Sequence, residues 1–131
     1  MRSALVAVAV LASFNSPAQA QSRPSPCSSC SVIFESANQQ QALNTIRFIA
    51  ASVISTGSTV KVIGHTDTVG SEASNRVLSL RRANAVKDVL IREGVRATAI
   101  TVIGRGESDL LVSTGDNVPE PQNRRVEICV P

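Results

Sequence analysis

The chain has 131 residues, 43% of them hydrophobic, a formal net charge of +3 at pH 7, three Phe and no Trp or Tyr. That length supplies one domain with a single modest core. The mild charge and the lack of base-stacking rings argue against a nucleic-acid partner, and the missing aromatic girdles argue against an outer-membrane barrel.

The N-terminus reads as a secretory signal peptide, residues 1–20. Arg2 precedes the apolar run Ala4–Ala12, then come helix-breaking Pro17 and the small-x-small triplet Ala18-Gln19-Ala20. The run is too short to cross a bilayer of about 30 Å, and no later stretch is long enough, so the mature chain is expected to lack a transmembrane segment. A lipoprotein would carry a cysteine directly after its cleavage box, whereas Cys27 follows Pro24-Ser25-Pro26. The expectation is a soluble periplasmic protein of 111 residues, which loses Arg2 with the signal and keeps a net charge near +2.

Residues 21–30 (QSRPSPCSSC) form a Ser/Pro-rich leader without periodicity. Ser31–Phe34 reads as strand one. Ser36 and Gln39 have capping-box spacing, and Leu43, Ile46, Ile49, Ala50 and Val53 then recur at helical intervals up to Gly57. Thr59–Ile63 is strand two, followed by the turn GHTDTVG, residues 64–70. A second helix runs from about Glu72 to Arg92 and closes at Gly94, with Ser79 as a cap or kink within it. Ile100–Ile103 is strand three, ending in Gly104-Arg105-Gly106-Glu107, and a loop rich in Ser, Gly, Asp and Pro covers roughly 109–122. Arg124–Val130 alternates Val126, Ile128 and Val130 against Arg125, Glu127 and Cys129, as a strand does.

The order β-α-β-α-β-β predicts an α+β fold, a small mixed sheet with helices on one face. Right-handed crossovers make strands one to three parallel, and the loop return makes strand four antiparallel. His65–Asp67, the start of helix two and the start of strand four then share one edge of the sheet. Cys30 and Cys129 share the opposite edge. A Cys30–Cys129 bridge follows if strands one and four are neighbours, with Cys27–Cys129 as the alternative. The C-x-x-C spacing of Cys27 and Cys30 matches redox enzymes, but it precedes the first strand instead of opening a helix, so a structural bridge is the better reading.

Ligands of such sheets gather at the carboxyl ends of parallel strands. Asp67 is placed there, and Asp beside a glycine is commonly just a turn-former. Arg82 falls with Leu78, Ala85, Val86 and Val89 on one side of helix two, Asn75 lies two turns earlier on the same side, and Arg124 has the parity of Val126 and Ile128. A guanidinium inside an apolar stripe must snorkel or find a partner. An Asp67–Arg82 structural salt bridge is the plain account; a site for a ligand carrying both ammonium and carboxylate is the sharper one. His65 has no second histidine to share a metal, and no nucleophile–base–orienter set is spaced for catalysis, so a satisfied polar residue is expected there, with neither metal nor cofactor.

The motifs GHTDTVGSEASNRVLSLRRANAV, IGRGES and NRRVEI resemble the OmpA-like peptidoglycan-binding domain over Val32–Val130. The resemblance implies a domain over residues 31–131 that binds peptidoglycan non-covalently through the meso-diaminopimelate of its stem peptide, without catalysis. It implies Asp67 and Arg82 as the residues holding the zwitterionic end, with Asn75, Arg124, Thr66 and Val69 in support. Two departures stand out: the aromatic-acid-aromatic-Asp run after strand one is shortened to Phe34-Glu35-Ser36, and no proline follows the G-x-G-E motif at Ser108-Asp109-Leu110. Readings from other classes are a periplasmic thiol-redox protein using Cys27 and Cys30, and a structural adaptor for an outer-membrane partner protein.

Overall fold

The computed structural model describes residues 29–131; the stretch expected to be a signal peptide, Cys27 and the rest of the expected leader up to residue 28 lie outside the described residues. Strand β1 spans Ser29–Phe34, helix α1 Gln39–Thr56, β2 Val60–Gly64, helix α2 Glu72–Arg92, β3 Ile100–Gly104 and β4 Arg125–Val130. Short 3-10 turns at Ala97–Ala99 and Pro121–Asn123 lead into β3 and β4.

Helix α1 starts later than the capping-box spacing of Ser36 and Gln39 suggests. Ala37 N first donates to Phe34 O, closing an extra turn, so Asn38 becomes the cap, accepting from Gln40 N at 2.7 Å. The helix ends where expected, with Gly57 in the left-handed region at φ 69°. Helix α2 keeps both expected ends; Ser71 Oγ accepts from Ser74 N at 3.1 Å to cap it.

The strands form one sheet in the order β1-β4-β2-β3. β2 and β3 are parallel, while β4 lies antiparallel to both β1 and β2, between them. Strands one to three therefore run in one direction, and the return strand fills the gap left between the first two. Cys30 stands opposite Cys129 in the β1–β4 register, and the two are joined by a disulfide.

Val60, Val62, Ile100, Val126 and Ile128 pack with Ile46, Ile49, Ala50 and Val53 of α1 and with Ala83, Val86 and Leu90 of α2. Full burial of such a side chain contributes about 1.5–3 kcal/mol. Ile63, Cys129 and Ile103 cluster separately, as the alternation of strand residues requires. Alternation in β4 does not mean one wet face, because Arg125 and Glu127 are buried along with Val126, Ile128 and Cys129. Arg125 is paid for by a salt bridge to Glu127 at 2.9 Å and by donation to Asp109 O at 3.1 Å.

The buried stripe of α2 is Asn75, Ser79, Ala83, Val86 and Leu90, rotated from the stripe expected through Leu78 and Ala85. The glycines facing the helix explain the rotation. A Cβ on Gly64 would sit 1.9 Å from Ser79 O, and one on Gly104 2.9 Å from Leu80 N. The helix lies so close to β2 and β3 that small residues face the sheet, leaving Arg82 at the margin of the stripe.

Candidate functional site

The turn after β2 is buried although four of its consecutive residues are polar. His65, Thr66, Asp67 and Thr68 are all buried, while Val69 and Gly70 are exposed. The main chain is held on both sides: His65 N donates to Arg125 O at 2.9 Å and Thr66 N to Gly106 O at 2.8 Å. Thr68 Oγ1 donates to Gly115 O at 2.7 Å and accepts from Val118 N at 3.0 Å, tying the turn to the long loop. Asn123, itself buried, secures that loop from below by accepting from Leu111 N and Val112 N, each at 2.8 Å. Gly70 closes the turn at φ 91°, a left-handed value that favours glycine.

Asp67 is the best-supported carboxylate of this edge. Its Oδ1 accepts from Val69 N at 3.1 Å, and its Oδ2 from Glu120 N at 3.3 Å and Arg124 Nη1 at 2.8 Å. Burial by itself pushes the Asp67 carboxyl up, but those two backbone donors and the Arg124 guanidinium outweigh it and hold the group below the ordinary carboxylate range.

Arg82 does not pair with Asp67. Its Nη1 donates to His65 O at 3.2 Å and its Nη2 is bonded to Glu35 Oε2. Arg124 Nε lies 3.1 Å from the other oxygen, Glu35 Oε1. The charges thus form a line, Asp67–Arg124–Glu35–Arg82, in place of the direct ion pair. Glu35 comes off the end of β1, where its N–H donates to Arg124 O at 2.9 Å. Because β1 runs in the same direction as β2, their carboxyl ends share an edge. A cavity of about 180 Å³ opens beside this line, with Ile33, Phe34, Ala85 and Val126 as its apolar wall and Glu35, Arg82 and Arg124 on its rim.

The remaining expected residues are brought to the turn but are used within it. Asn75 Nδ2 donates to Val69 O at 3.0 Å and to Glu107 Oε1 at 2.9 Å, tying the turn to the G-R-G-E loop. Thr66 is buried and donates to Asp67 O at 2.8 Å. Val69 offers an exposed side chain at the rim. His65 differs from the satisfied residue expected at a strand end. Its ring is buried, neither ring nitrogen makes a hydrogen bond, and Nε2 lies 3.5 Å from Glu127 Oε1, within ion-pair range only.

Sequence reasoning missed two contributors. Glu35 was legible from the parallel course of strands one and two, which puts the residue after each at one edge. Ser79 was not: it is neither cap nor kink, but a buried brace whose Oγ donates to Arg76 O and accepts from Gly106 N, both at 2.8 Å. Elsewhere, the disulfide commits Cys30 to Cys129, so Cys27 and Cys30 are not a dithiol pair in this structure. Among the described residues, no group of three or more His, Cys, Asp or Glu is arranged to hold a metal ion, and no helix is long and apolar enough to cross a membrane.

Known proteins resemble the chain in sequence and, among solved structures, in fold. The chain is 45% identical over 71 residues to outer membrane porin F of Pseudomonas fluorescens, a match covering 54% of this chain and 22% of that protein. It is 39% identical over 100 residues to outer membrane protein A of Shimwellia blattae, covering 70% of this chain and 42% of that protein. The chain therefore spans less than half the length of either relative. The solved structure of the peptidoglycan-associated lipoprotein from Burkholderia pseudomallei superimposes with a TM-score of 0.66 at 25% identity, over 76% of this chain and 86% of that one. Residues 31–124 match the model of the OmpA family, and the chain belongs to that family.

Proposed function

We propose that residues 31–131 form a non-covalent peptidoglycan-binding module that grips the meso-diaminopimelate of the stem peptide, without catalysis. The observation that carries this reading is the pair of guanidiniums, Arg82 and Arg124, gathered on one rim beside an apolar cleft. Diaminopimelate is a short methylene chain with an ammonium and a carboxylate at each end, so it can set its chain against Ile33, Phe34 and Val126 and offer its carboxylate to the arginines. Charge-assisted bonds of this kind contribute about 1.5–3 kcal/mol each. The likeness to the Burkholderia peptidoglycan-associated lipoprotein agrees with a wall ligand. Within the same reading, residues 1–20 are a cleaved signal peptide and the module works in the periplasm, associated with the outer membrane or the wall.

In this arrangement Arg82 and Arg124 hold the ligand carboxylate. Asp67 holds Arg124 and shapes the turn, and Asn75 and Thr66 support that turn. Val69 borders the ligand from the rim. Affinity for a single stem peptide is expected between about micromolar and millimolar, or roughly −8 to −4 kcal/mol. Pull-down with purified sacculi tests the reading. Wild type should be retained and released by free meso-diaminopimelate, whereas Asp67→Ala and Arg82→Ala should fail to be retained while keeping a wild-type circular dichroism spectrum. Retention of both variants at the wild-type level sinks it.

A further inference from the structure

We infer that Glu35 makes this site selective for a zwitterion over a plain carboxylate, a step that rests on the diaminopimelate reading above. The two acids at the rim differ in what they can do. Asp67 is 8% exposed at its side chain, and both of its oxygens are occupied by donors from its own fold. Glu35 is 47% exposed at its side chain, sits beyond the end of β1, and is bonded to the rim only through Arg82 and Arg124. Of the two, Glu35 is the one that can swing.

Its present partners are the guanidiniums that an incoming carboxylate needs. Glu35 therefore stands in for the ligand, and binding is an exchange. When a plain carboxylate takes the arginines, Glu35 is displaced with its charge unpaired, and it stays a few ångströms from a second negative group. That outcome is disfavoured by like-charge repulsion. An α-amino acid end brings an ammonium on the carbon next to its carboxylate, and the displaced Glu35 oxygen can accept from it. The four groups Arg82, Arg124, Glu35 and Asp67 sum to zero charge. A zwitterion keeps that neutrality; a plain carboxylate breaks it.

Titration calorimetry of the full chain against meso-diaminopimelate and against pimelate, the same dicarboxylate chain without amines, reads this directly. Wild type should prefer diaminopimelate by about tenfold or more, the scale of one charge-assisted bond. Glu35→Gln should shrink that preference below about threefold, because pimelate no longer meets a displaced charge and the ammonium loses its acceptor. Glu35→Asp, which keeps the charge, should retain the preference, and circular dichroism should report the same fold for all three. A Glu35→Gln ratio equal to wild type, or a wild type that binds both ligands alike, overturns the role of Glu35 while diaminopimelate binding stands. A wild type that binds neither diaminopimelate nor sacculi overturns the wall-binding reading and this one with it.

Discussion

Asp67 shows how a single carboxylate can be both nearly sealed from water and charged. Desolvation opposes its ionisation, yet Val69 N, Glu120 N and Arg124 win, so the folded group titrates below its ordinary value. The sign follows from linkage: a carboxyl with a lowered folded pKa contributes stability that is complete above its unfolded value, near about 4, and is lost as pH falls through the folded one. Wild type should therefore lose urea stability between about pH 5 and about pH 3, and Asp67→Asn should lose less over the same interval. Denaturation midpoints of the two proteins at both pH values check this; parallel falls contradict it. Protonating the folded Asp67 also releases Arg124, so retention on sacculi should weaken only once the pH falls below the ordinary carboxylate value.

At the level of elements, the placement of α2 decides where the arginines go. The helix rests on backbone, because Gly64 and Gly104 offer no side chain to hold it away from β2 and β3. Ser79 fixes its register by receiving the Gly106 N–H, and Asn75 joins its first turn to the β2 turn and to Glu107. That close seat leaves Arg82 at the margin, where its guanidinium meets His65 O and Glu35. Gly64→Ala would put a methyl 1.9 Å from a backbone carbonyl, which no side-chain rotation can relieve. A loss of at least about 2 kcal/mol in urea denaturation is expected. Weakened diaminopimelate binding should accompany it, since the helix cannot lift without moving Arg82.

Over the whole molecule, the decisive event is the insertion of β4 between β1 and β2. It delivers Arg124 to the rim at one end and Cys129 to Cys30 at the other. The disulfide joins residues 99 positions apart, so it closes most of the described chain into a loop. Removing it with Cys30→Ser and Cys129→Ser should cost about 2–5 kcal/mol, read as a fall in the denaturation midpoint, with a steeper slope because the unlinked unfolded chain exposes more surface. Sacculus binding by the folded fraction should persist, because the bridge and the charged rim lie at opposite edges of the sheet. Loss of binding in a chain that is still folded would place the disulfide in the site instead.

Local pattern in the sequence carried the elements, the strand directions and the edge on which Asp67, Asn75, Arg82 and Arg124 collect. Helical spacing, β-branched runs, caps and crossover handedness act within a few residues or along one connection. Glycine at 57 and 94 set the helix ends for the same reason. Pairing across the fold was beyond that reach. Asp67 takes Arg124 and not Arg82 because Glu35, arriving on a different strand, claims Arg82 first. The stripe of α2 turned because of glycines on β2 and β3, and β4 buried both of its faces because Arg125 found Glu127 and the loop carbonyl of Asp109. Each of these outcomes depends on groups far apart in the chain competing for one charge or one space, and that competition is settled only when the strands are laid side by side.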